Sequence, residues 1–508
     1  GYGSMKLPCD STVYTMFRTT AKWQADALAI ECGQQQWTYG QLLDVVDRLA
    51  SVLLSEGTEP GDRVAILSEN RAEYTMLQLA CARIGAIVPC LNWRLVAAEL
   101  DHCIGLVEPK LIFVSPRFKP LHDQVAYSGA RCLGIEDCLM RAENTEADQT
   151  PPDLGGEQGL LLLNTSGTTG LPKAALISHR AEIARMTTLR MDLKVESGDA
   201  YLAWSPMYHM GGTDHSLSSL MMGSPVIITD GLDLDAMCSA LGRYQLGWLL
   251  LMPATIDSLI LRLKETNTKV LGLRAVGAMA DLVPLAQIAE LTTVMNAPFV
   301  NSFGATETGL PPATSHLIAV GEEPTDLAKR LSSLCEIRLV DKDDNDVLPG
   351  EIGEIAVRGP TLFSGYWGAP EVNAKDFRNG WFHMGDLGMQ TSSGGLHFVG
   401  RSKYMIKSGG ENIYPMEVER VLLSDDRISE AAVVGKYDSH WGETVVAFVT
   451  KKDAGLTEQD IETLCRANLA GYKRPREVHF ISMEDFPRSD SGKIIREALE
   501  RRLVPRRK

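Results

Sequence analysis

The densest run of chemically useful side chains is Asn164-Thr-Ser-Gly-Thr-Thr-Gly-Leu-Pro-Lys173, which follows an apolar segment. From Thr165 onward it contains four hydroxyl side chains, two glycines and one lysine. Such a loop can hold an oligophosphate, because glycines let backbone N–H groups approach, hydroxyls donate hydrogen bonds and lysine adds a positive charge. A solvated turn is the usual interpretation of a generic hydroxyl-rich loop. The order of residues favours phosphate binding here, although it is not a Walker loop, since Leu171 follows Gly170.

Five motifs together carry a resemblance to a known superfamily. Residues 165–173 resemble the phosphate-loop signature of the adenylate-forming (AMP-binding) superfamily of acyl-CoA synthetases, luciferases and peptide-synthetase adenylation domains. The resemblance covers essentially the whole chain and points to the acyl-CoA synthetase branch, whose members ligate fatty or aryl acids. The four other motifs follow in the superfamily's order and spacing: Asn301-Ser-Phe-Gly-Ala-Thr-Glu-Thr308, Trp381-Phe-His-Met-Gly-Asp-Leu387, Gly400-Arg-Ser-Lys-Tyr-Met-Ile-Lys-Ser-Gly-Gly-Glu-Asn-Ile-Tyr-Pro415 and Pro487-Arg-Ser-Asp-Ser-Gly-Lys493.

The resemblance implies a site for ATP and Mg²⁺. A carboxylate attacks the α-phosphate of ATP in this superfamily, so the site must neutralise charge and align the nucleophile with the leaving pyrophosphate. By resemblance, Thr306 binds the phosphates and Glu307 helps to hold Mg²⁺, since oxygen ligands suit this hard cation. Phe303 would stack on adenine, and Asp386 would accept hydrogen bonds from both ribose hydroxyls. The implied nucleotide-binding residues are Thr165, Ser166, Gly167, Thr168, Thr169, Lys173, Ser302, Phe303, Gly304, Asp386 and Arg401.

The C-terminal motifs imply a catalytic lysine on a mobile domain. Lys493 matches the lysine that bridges the carboxylate and the α-phosphate during adenylation. Lys403 occupies the position of the hinge residue, whose backbone change lets the small domain rotate. Gly409 and Gly410 resemble the glycine loop that borders the pantetheine tunnel of coenzyme A after rotation, and glycine permits a close backbone approach. Without the other motifs, Lys493 would be interpreted as an ordinary turn lysine and Lys403 as an exposed surface lysine.

The segment Ser205–Gly212 resembles the part of the superfamily that flanks the carboxylic acid. It supplies Tyr208 and His209, and the resemblance implies that His209 belongs to the catalytic residues. We expect a mainly apolar cavity, to which methionines add adaptability. The remaining expected lining consists of the stretch 213–222, Met252, Gly277, Met279 and Ala280.

Asp214 and His215 are polar exceptions in this stretch. We expect them to face solvent or the helix surface rather than the substrate. The sequence leaves the acid itself open among short- or medium-chain, aryl, and alicyclic or steroid-derived carboxylates.

The elements that must position these residues alternate between short apolar strands and amphipathic helices. Between residues 159 and 303 this alternation predicts a parallel sheet covered on both faces, and the first part of the chain repeats it. Segments 336–340 and 354–357 predict an antiparallel hairpin of a small sheet or barrel. The predicted class is α/β, with a large N-terminal domain of two doubly wound sheets plus a small β-barrel at residues 5–400. A mobile, small α+β C-terminal domain is expected at residues 401–508.

Composition narrows the class of protein further. The 508 residues include 44% hydrophobic and 23% charged residues, which is the balance of a globular protein. The net charge of −15 argues against broad binding to nucleic acid or anionic membranes. The ten cysteines contain no Cys-x-x-Cys pair, no apolar run has the length of a membrane span, and no signal peptide is apparent. We therefore expect a cytoplasmic protein with reduced cysteines and no transmembrane segment.

The acyl acceptor is the main open choice. The chain ends a few residues after Lys493 without an appended carrier domain, which favours free coenzyme A. The alternative is a stand-alone adenylation enzyme that loads a separate carrier protein. An inactive scaffold derived from the same fold is disfavoured, because Lys173, Glu307, Asp386 and Lys493 are all retained. Homodimer formation is left open.

Overall fold

The computed structural model describes residues 8–165, 171–489 and 492–503. Ser166, Gly167, Thr168 and Thr169 of the expected phosphate loop lie outside these ranges. The strands, in chain order, are β1 (Leu28–Cys32), β2 (Gln35–Thr38), β3 (Val64–Leu67), β4 (Val88–Cys90), β5 (Leu111–Val114), β6 (Arg131–Gly134), β7 (Gly159–Thr165), β8 (Lys173–Ser178), β9 (Tyr201–Ala203), β10 (Val226–Ile228), β11 (Gln245–Leu250), β12 (Gly272–Gly277), β13 (Phe299–Val300), β14 (Phe303–Ala305), β15 (Gly309–Ala313), β16 (Leu317–Ile318), β17 (Glu336–Val340), β18 (Ile352–Arg358), β19 (Phe382–Gln390), β20 (Leu396–Arg401), β21 (Ile406–Ser408), β22 (Glu411–Ile413), β23 (Ile428–Asp438), β24 (Gly442–Lys451) and β25 (Glu477–Phe480).

The helices surround these strands. In chain order they are α1 (Val13–Trp23), α2 (Tyr39–Ser55), α3 (Ala72–Ile84), α4 (Ala97–Val107), α5 (Lys119–Asp123), α6 (Cys138–Glu143), α7 (His179–Met191), α8 (Met210–Met222), α9 (Leu234–Arg243), α10 (Ile256–Glu265), α11 (Leu285–Met295), α12 (Pro370–Asp376), α13 (Pro415–Leu423), α14 (Glu458–Asn468) and α15 (Arg496–Leu503).

Sheet 1 has the strand order β6-β5-β3-β4-β7-β8. Its pairs are parallel except for the β7–β8 hairpin. Strands β3 and β5 are buried along their whole length, as expected for a parallel sheet covered on both faces. The hairpin places Thr165 opposite Lys173 at the edge of the sheet, so the two ends of the expected phosphate loop are neighbours.

Sheet 2 runs β2-β1-β10-β9 and continues through one backbone bridge into β11-β12-β13-β16. At this junction the N–H of Ala200 donates to the carbonyl of Gln245 at 2.8 Å, and the N–H of Gly247 donates to the carbonyl of Ala200 at 2.9 Å. Only the β1–β2 and β13–β16 pairs are antiparallel. Two strand–helix layers are present, as the sequence predicts, but the strands are divided between them differently: β7 and β8 join the first part of the chain in sheet 1, and β1 and β2 join β9 and β10 in sheet 2.

Helices α3 and α8 lie inside the large unit rather than on its surface. Every residue of α3 is buried, and so is every residue of α8 except Met210. Neither helix has the polar stripe of an exposed amphipathic helix, so periodicity alone could not identify them.

Sheet 3 is the antiparallel meander β17-β18-β19-β20, and its β17–β18 pair is the hairpin expected at 336–340 and 354–357. Bridges at Ala313–Leu331 and Lys329–Leu396 link this sheet to the β14–β15 hairpin, at the place of the expected small barrel. Sheet 4 (β22-β21-β24-β23, with β25 beside β24) begins at Ile406 and forms a small α+β unit with its own apolar core. The α/β class with a small C-terminal unit is confirmed, whereas the division at residue 401 stays a prediction.

Candidate active site

Asp386 and Arg401 face each other on the neighbouring strands β19 and β20. The Nε of Arg401 lies 3.4 Å from Oδ1 of Asp386, whose side chain is 4% exposed. Burial raises the pKa of Asp386 to about 6, although Arg401 and Lys493 oppose this effect. Asp386 is therefore a buried carboxyl group beside Arg401, and the charge of Lys493 also acts on it.

Lys493, which belongs to the last of the five motifs, lies near Asp386 and Arg401. It closes a tight turn in which the N–H of Ser489 donates to the carbonyl of Lys493 at 2.7 Å. Water can reach its side chain, yet the surrounding protein desolvates the ammonium group and lowers its pKa. Asp386 and Glu307 oppose this shift, which places both carboxylates near the lysine. Four charged residues from four separate motifs thus converge.

The motif at 301–308 forms strand β14 and the turn into β15. A side chain at Gly304 would collide with the carbonyl oxygens of Gly309 and Leu310, so only glycine fits there. The N–H of Ala305 donates to the hydroxyl of Thr308 at 2.9 Å and tightens the turn. Thr306 and Glu307 lie at its tip and are half-buried.

The base of the expected phosphate loop lies beside this turn. The Nζ of Lys173 is 4.3 Å from the centre of the Tyr366 ring. Burial raises the pKa of Tyr366, and the negative charge of Glu307 raises it further. Tyr366 therefore lies near both Lys173 and Glu307.

Phe303 is almost fully buried and stacks on Phe398, with ring centres 4.7 Å apart. One face of the expected adenine-stacking ring is thus covered by the protein. Ser302 is half-buried in the link between β13 and β14. Both assignments to the nucleotide site stay predictions.

The residues expected around the acid lie at the ends of sheet 2 strands and before α8. Tyr208 is buried and meets the edge of Trp93, with ring centres 5.7 Å apart. His209 is the N-cap residue of α8. At the end of β12, a side chain on Gly277 would lie 3.0 Å from the Trp248 ring. Met279 is partly buried against one apolar core of the large unit, and Ala280 is fully buried in another.

The expectation that Asp214 and His215 face solvent is wrong. Both are buried, at 2% and 5% exposure, on the interior helix α8. Asp214 forms an ion pair with Arg185, and the His215 ring packs against Tyr201 at 5.4 Å. Burial lowers the pKa of His215 to about 4. A buried helix has no solvent side, so its polar residues must find partners in the protein.

Lys403 lies in the short 3-10 turn Ser402–Tyr404 between sheets 3 and 4, with Nζ 3.6 Å from Glu497. Gly409 and Gly410 form the turn of the β21–β22 hairpin, and both have positive φ angles, of 57° and 82°. The N–H of Gly409 donates to the carbonyl of Trp441, and a side chain at Gly409 would meet the Trp441 ring at 3.0 Å. The turn thus requires glycine for its backbone conformation as well as for close approach.

This arrangement of charged side chains fits a bound nucleoside triphosphate together with Mg²⁺. Lys173, Arg401 and Lys493 supply positive charge, and Glu307 supplies a carboxylate of the kind that holds Mg²⁺ together with substrate phosphates. No group of three metal-binding side chains is found among residues 8–165, 171–489 and 492–503. None of the helices that the structure describes is long and apolar enough to cross a membrane.

Comparison with known families decides the assignment. A family model described as AMP-binding enzyme matches residues 17–367, and a second, described as AMP-binding enzyme C-terminal domain, matches residues 417–493. The chain belongs to the AMP-binding enzyme family.

Two curated relatives and one solved structure illustrate the similarity. The chain is 34% identical to the indoleacetate–CoA ligase of Aromatoleum aromaticum over 492 residues, which cover 94% of this chain and 95% of that protein. It is 32% identical to the feruloyl-CoA synthase of an Amycolatopsis species over 487 residues, covering 95% and 97%. The ATP-bound crystal structure of MatB from Rhodopseudomonas palustris superposes with a TM-score of 0.83 at 26% identity, covering 97% of this chain and 99% of that one.

These findings confirm the superfamily and the enzyme class that the motifs indicate. The chain is an AMP-binding enzyme of the ATP-dependent acid–CoA ligase family, and the relatives extend over nearly its whole length. The roles of individual residues in this AMP-binding enzyme stay predictions.

Motif analysis missed several residues that shape the site, including Tyr366, Phe398 and Arg185. Arg185 donates from Nη2 to the carbonyl of Thr306 at 2.9 Å, directly at the tip of the 301–308 motif. A signal was present in α7, where Glu182 and Arg185 are three residues apart on one buried face. Charged residues on the inner face of a helix indicate internal partners.

Proposed function

We propose that this AMP-binding enzyme activates a carboxylic acid with Mg-ATP to an acyl-adenylate and then transfers the acyl group to coenzyme A. The convergence of Lys493, Asp386, Arg401 and Glu307 carries the proposal. Such a set of charges suits a reaction in which two anions must meet. The relatives named as CoA ligases support the acceptor.

In the first half-reaction a carboxylate oxygen bonds to the α-phosphorus, and the bond to the β-phosphate oxygen breaks, releasing pyrophosphate. Lys493 bridges the incoming carboxylate and the α-phosphate and offsets their repulsion. Asp386 holds the ribose hydroxyls, and Lys173 and Thr306 hold the phosphates, together with Thr165 and the adjoining loop. Mg²⁺ bound at Glu307 would neutralise further phosphate charge.

In the second half-reaction the thiol of coenzyme A attacks the acyl carbonyl, and AMP leaves. The small unit rotates about Lys403, withdraws Lys493 and brings Gly409 and Gly410 to the pantetheine path. This rotation requires two separate domains, which the sequence predicts at residues 5–400 and 401–508.

The acid lies between Tyr208, His209 and the apolar group Gly277, Met279 and Ala280. Aromatic acids are the first class to test, because the two relatives are named for indoleacetate and ferulate. Tyr208 and Trp93 offer aromatic surface at this place.

The test is mass spectrometry of the products formed from Mg-ATP, coenzyme A and a panel of carboxylic acids. We expect one or a few acyl-CoA species with an equal amount of AMP, and loss of both in Lys493→Ala. Acyl-AMP without thioester would contradict the coenzyme A acceptor and would favour a separate carrier protein. Unchanged pyrophosphate release in Lys493→Ala would overturn the role of that lysine.

A further inference from the structure

Three charged side chains are buried beneath the 301–308 motif: Glu182 and Arg185 on α7, and Asp214 on α8. Their exposures are 0%, 5% and 2%. The Nη1 of Arg185 donates to Oδ2 of Asp214 at 2.7 Å. Burial of three charged groups costs folding free energy unless each group is paired, so we expect each of them to have a partner or a function in the protein.

The other donors of Arg185 reach the backbone on two sides of the cluster. Nε donates to the carbonyl of Thr361 at 3.0 Å, and Nη2 donates to the carbonyl of Thr306 at 2.9 Å. The Thr306 carbonyl belongs to the peptide group that joins Thr306 to Glu307. Arg185 therefore holds the backbone between the expected phosphate ligand and the expected Mg²⁺ ligand.

The same turn rests on the aliphatic part of Arg185. Gly309 has a φ angle of 78°, and a side chain there would lie 2.9 Å from Cγ of Arg185. The N–H of Phe363 donates to the carbonyl of Glu307 at 2.9 Å. Arg185 and residues 361–363 thus hold the turn from below.

The two carboxyl groups orient Arg185 and balance its charge. Oδ1 of Asp214 and Oε2 of Glu182 have no hydrogen-bond donor among the described residues, and a proton on Glu182 that is shared with Asp214 would satisfy both. Burial and the charge of Asp214 raise the pKa of Glu182, which favours that proton. The hydroxyl of Ser218 donates to Oε1 of Glu182 at 3.2 Å and completes the arrangement.

We propose that Arg185, oriented by Asp214 and Glu182, is a positioning residue that sets the affinity of the enzyme for Mg-ATP through the Thr306–Glu307 peptide. This inference rests on the proposed function, in which Thr306 and Glu307 bind the phosphates and Mg²⁺. A planar guanidinium group can bond one carboxylate and two carbonyls at once, whereas the compact ammonium of lysine cannot span them.

Arg185→Lys tests this directly, because it keeps the charge and the partner Asp214. The matched control is Arg83→Lys. Arg83 is equally buried, pairs with Asp148 at 3.1 Å, and donates to the carbonyls of Asp148 and Thr150, far along the chain from the site. Calorimetry with α,β-methylene-ATP, with and without Mg²⁺, measures binding without needing the acid.

We expect Arg185→Lys to weaken binding with Mg²⁺ by about tenfold and to reduce the gain in affinity that Mg²⁺ gives, while Arg83→Lys changes binding by less than about twofold. Melting temperatures report the structural cost of both variants. Asp214→Asn is the milder second variant, with about threefold weaker binding expected, since Glu182 can then ionise and keep Arg185 compensated.

The inference alone would be overturned if Arg185→Lys and Asp214→Asn both bind the nucleotide within about twofold of the original chain and show the same Mg²⁺ effect. Equal losses in Arg185→Lys and Arg83→Lys would also overturn it, because the effect would then be one of stability. An original chain that binds no Mg-nucleotide would overturn the proposed function itself.

Discussion

Asp386 shows how one residue can be costly for folding and useful for binding. A buried carboxylate loses its hydration, and its partners here restore only part of the loss, because its pKa is still raised. The ribose hydroxyls that we assign to this group would supply the missing hydrogen bonds. The unbound enzyme thus keeps a charged acceptor ready at some expense in stability.

We expect Asp386→Asn to stabilise the unbound protein at pH 7.5. The folded-state pKa is about 6, above its usual value of 3.8, so ionisation destabilises the folded chain as pH rises between these values. The variant should gain up to about 3 kcal/mol in free energy of unfolding at pH 7.5. This gain should vanish near pH 4, where Asp386 is protonated in the folded chain.

Urea unfolding at the two pH values measures this difference. The same variant should bind AMP more weakly at pH 7.5, since an amide replaces a charged acceptor. A variant that is less stable than the original chain at pH 7.5 would show that Arg401 and Lys493 outweigh the burial of Asp386.

Residues within strong motifs could be predicted from the sequence, whereas the buried partners that hold these residues in place could not. Glu307 and Lys493 stand in patterns whose order is informative on its own. Asp214 does not, and its burial beside Arg185 depends on how α7 and α8 pack. A single polar residue in a stretch gives no information about a partner that lies 29 positions away.

At the scale of helices and strands, the elements that could be predicted are those whose apolar residues recur with a clear period. The apolar periodicity of residues 39–54 predicts a helix, which is α2 at Tyr39–Ser55, and the apolar run 445–449 predicts a strand, which lies within β24 at Gly442–Lys451. An amphipathic helix can be recognised in the sequence because one of its faces meets water, and a short apolar strand because turn residues follow it. The interior helices α3 and α8 have no such contrast.

Strand β12 ends at Gly277, where the acid pocket is proposed. A methyl group at this position would lie 3.0 Å from Trp248 and 3.3 Å from the carbonyl of Val300, so it narrows the space at the strand end. We expect Gly277→Ala to raise the KM for aromatic acids by about tenfold while the KM for ATP changes by less than about twofold.

Steady-state kinetics with both substrates varied separates the two constants. Gly272→Ala, at the start of the same strand, is a suitable control because its neighbour is the flexible side chain of Gln245. Parallel increases in both KM values would show that Gly277 supports the strand rather than lining the acid pocket.

At the scale of the whole molecule, the small unit is docked on the large one. Arg420 on α13 forms an ion pair with the fully buried Asp281, which also pairs with Lys329 at 2.5 Å. Lys329 donates in turn to Asn301 at 2.6 Å, the first residue of the 301–308 motif. Gly492 lies against Met252 on the large unit, next to Lys493. This docking brings Lys493 to the site.

Arg420→Gln should therefore separate the two half-reactions. We expect ATP–pyrophosphate exchange to fall by about tenfold, because the docked arrangement is weakened, while thioester formation from supplied acyl-adenylate changes by less than about twofold. Lys452→Gln is the control, since the Lys452–Asp257 pair at 4.0 Å also joins the units but is solvent-exposed.

Asp281→Asn should behave differently from Arg420→Gln. It leaves the buried Lys329 without a charge partner, and the loss should be about 3–5 kcal/mol in free energy of unfolding. Equal reductions of both half-reactions in Arg420→Gln, with no loss of stability in Asp281→Asn, would contradict this account of docking.

The sequence indicated that a C-terminal lysine acts at a distant site, but only through resemblance. Spacing along the chain could not show that Lys493 lies near Asp386, because this proximity depends on the packing of two units with separate cores. Arg420 lies outside the motifs, and nothing in the sequence indicates that Met252, expected in the acid pocket, packs against Gly492 of the small unit.

The most direct test of the account follows oxygen from the acid into the nucleotide. An acid labelled with ¹⁸O in its carboxylate is incubated with the enzyme, Mg-ATP and coenzyme A, and the AMP is analysed by mass spectrometry. Attack of the carboxylate on the α-phosphorus, followed by thiol attack on the carbonyl carbon, leaves one ¹⁸O atom in each AMP. Unlabelled AMP, or label in pyrophosphate, would contradict the acyl-adenylate route.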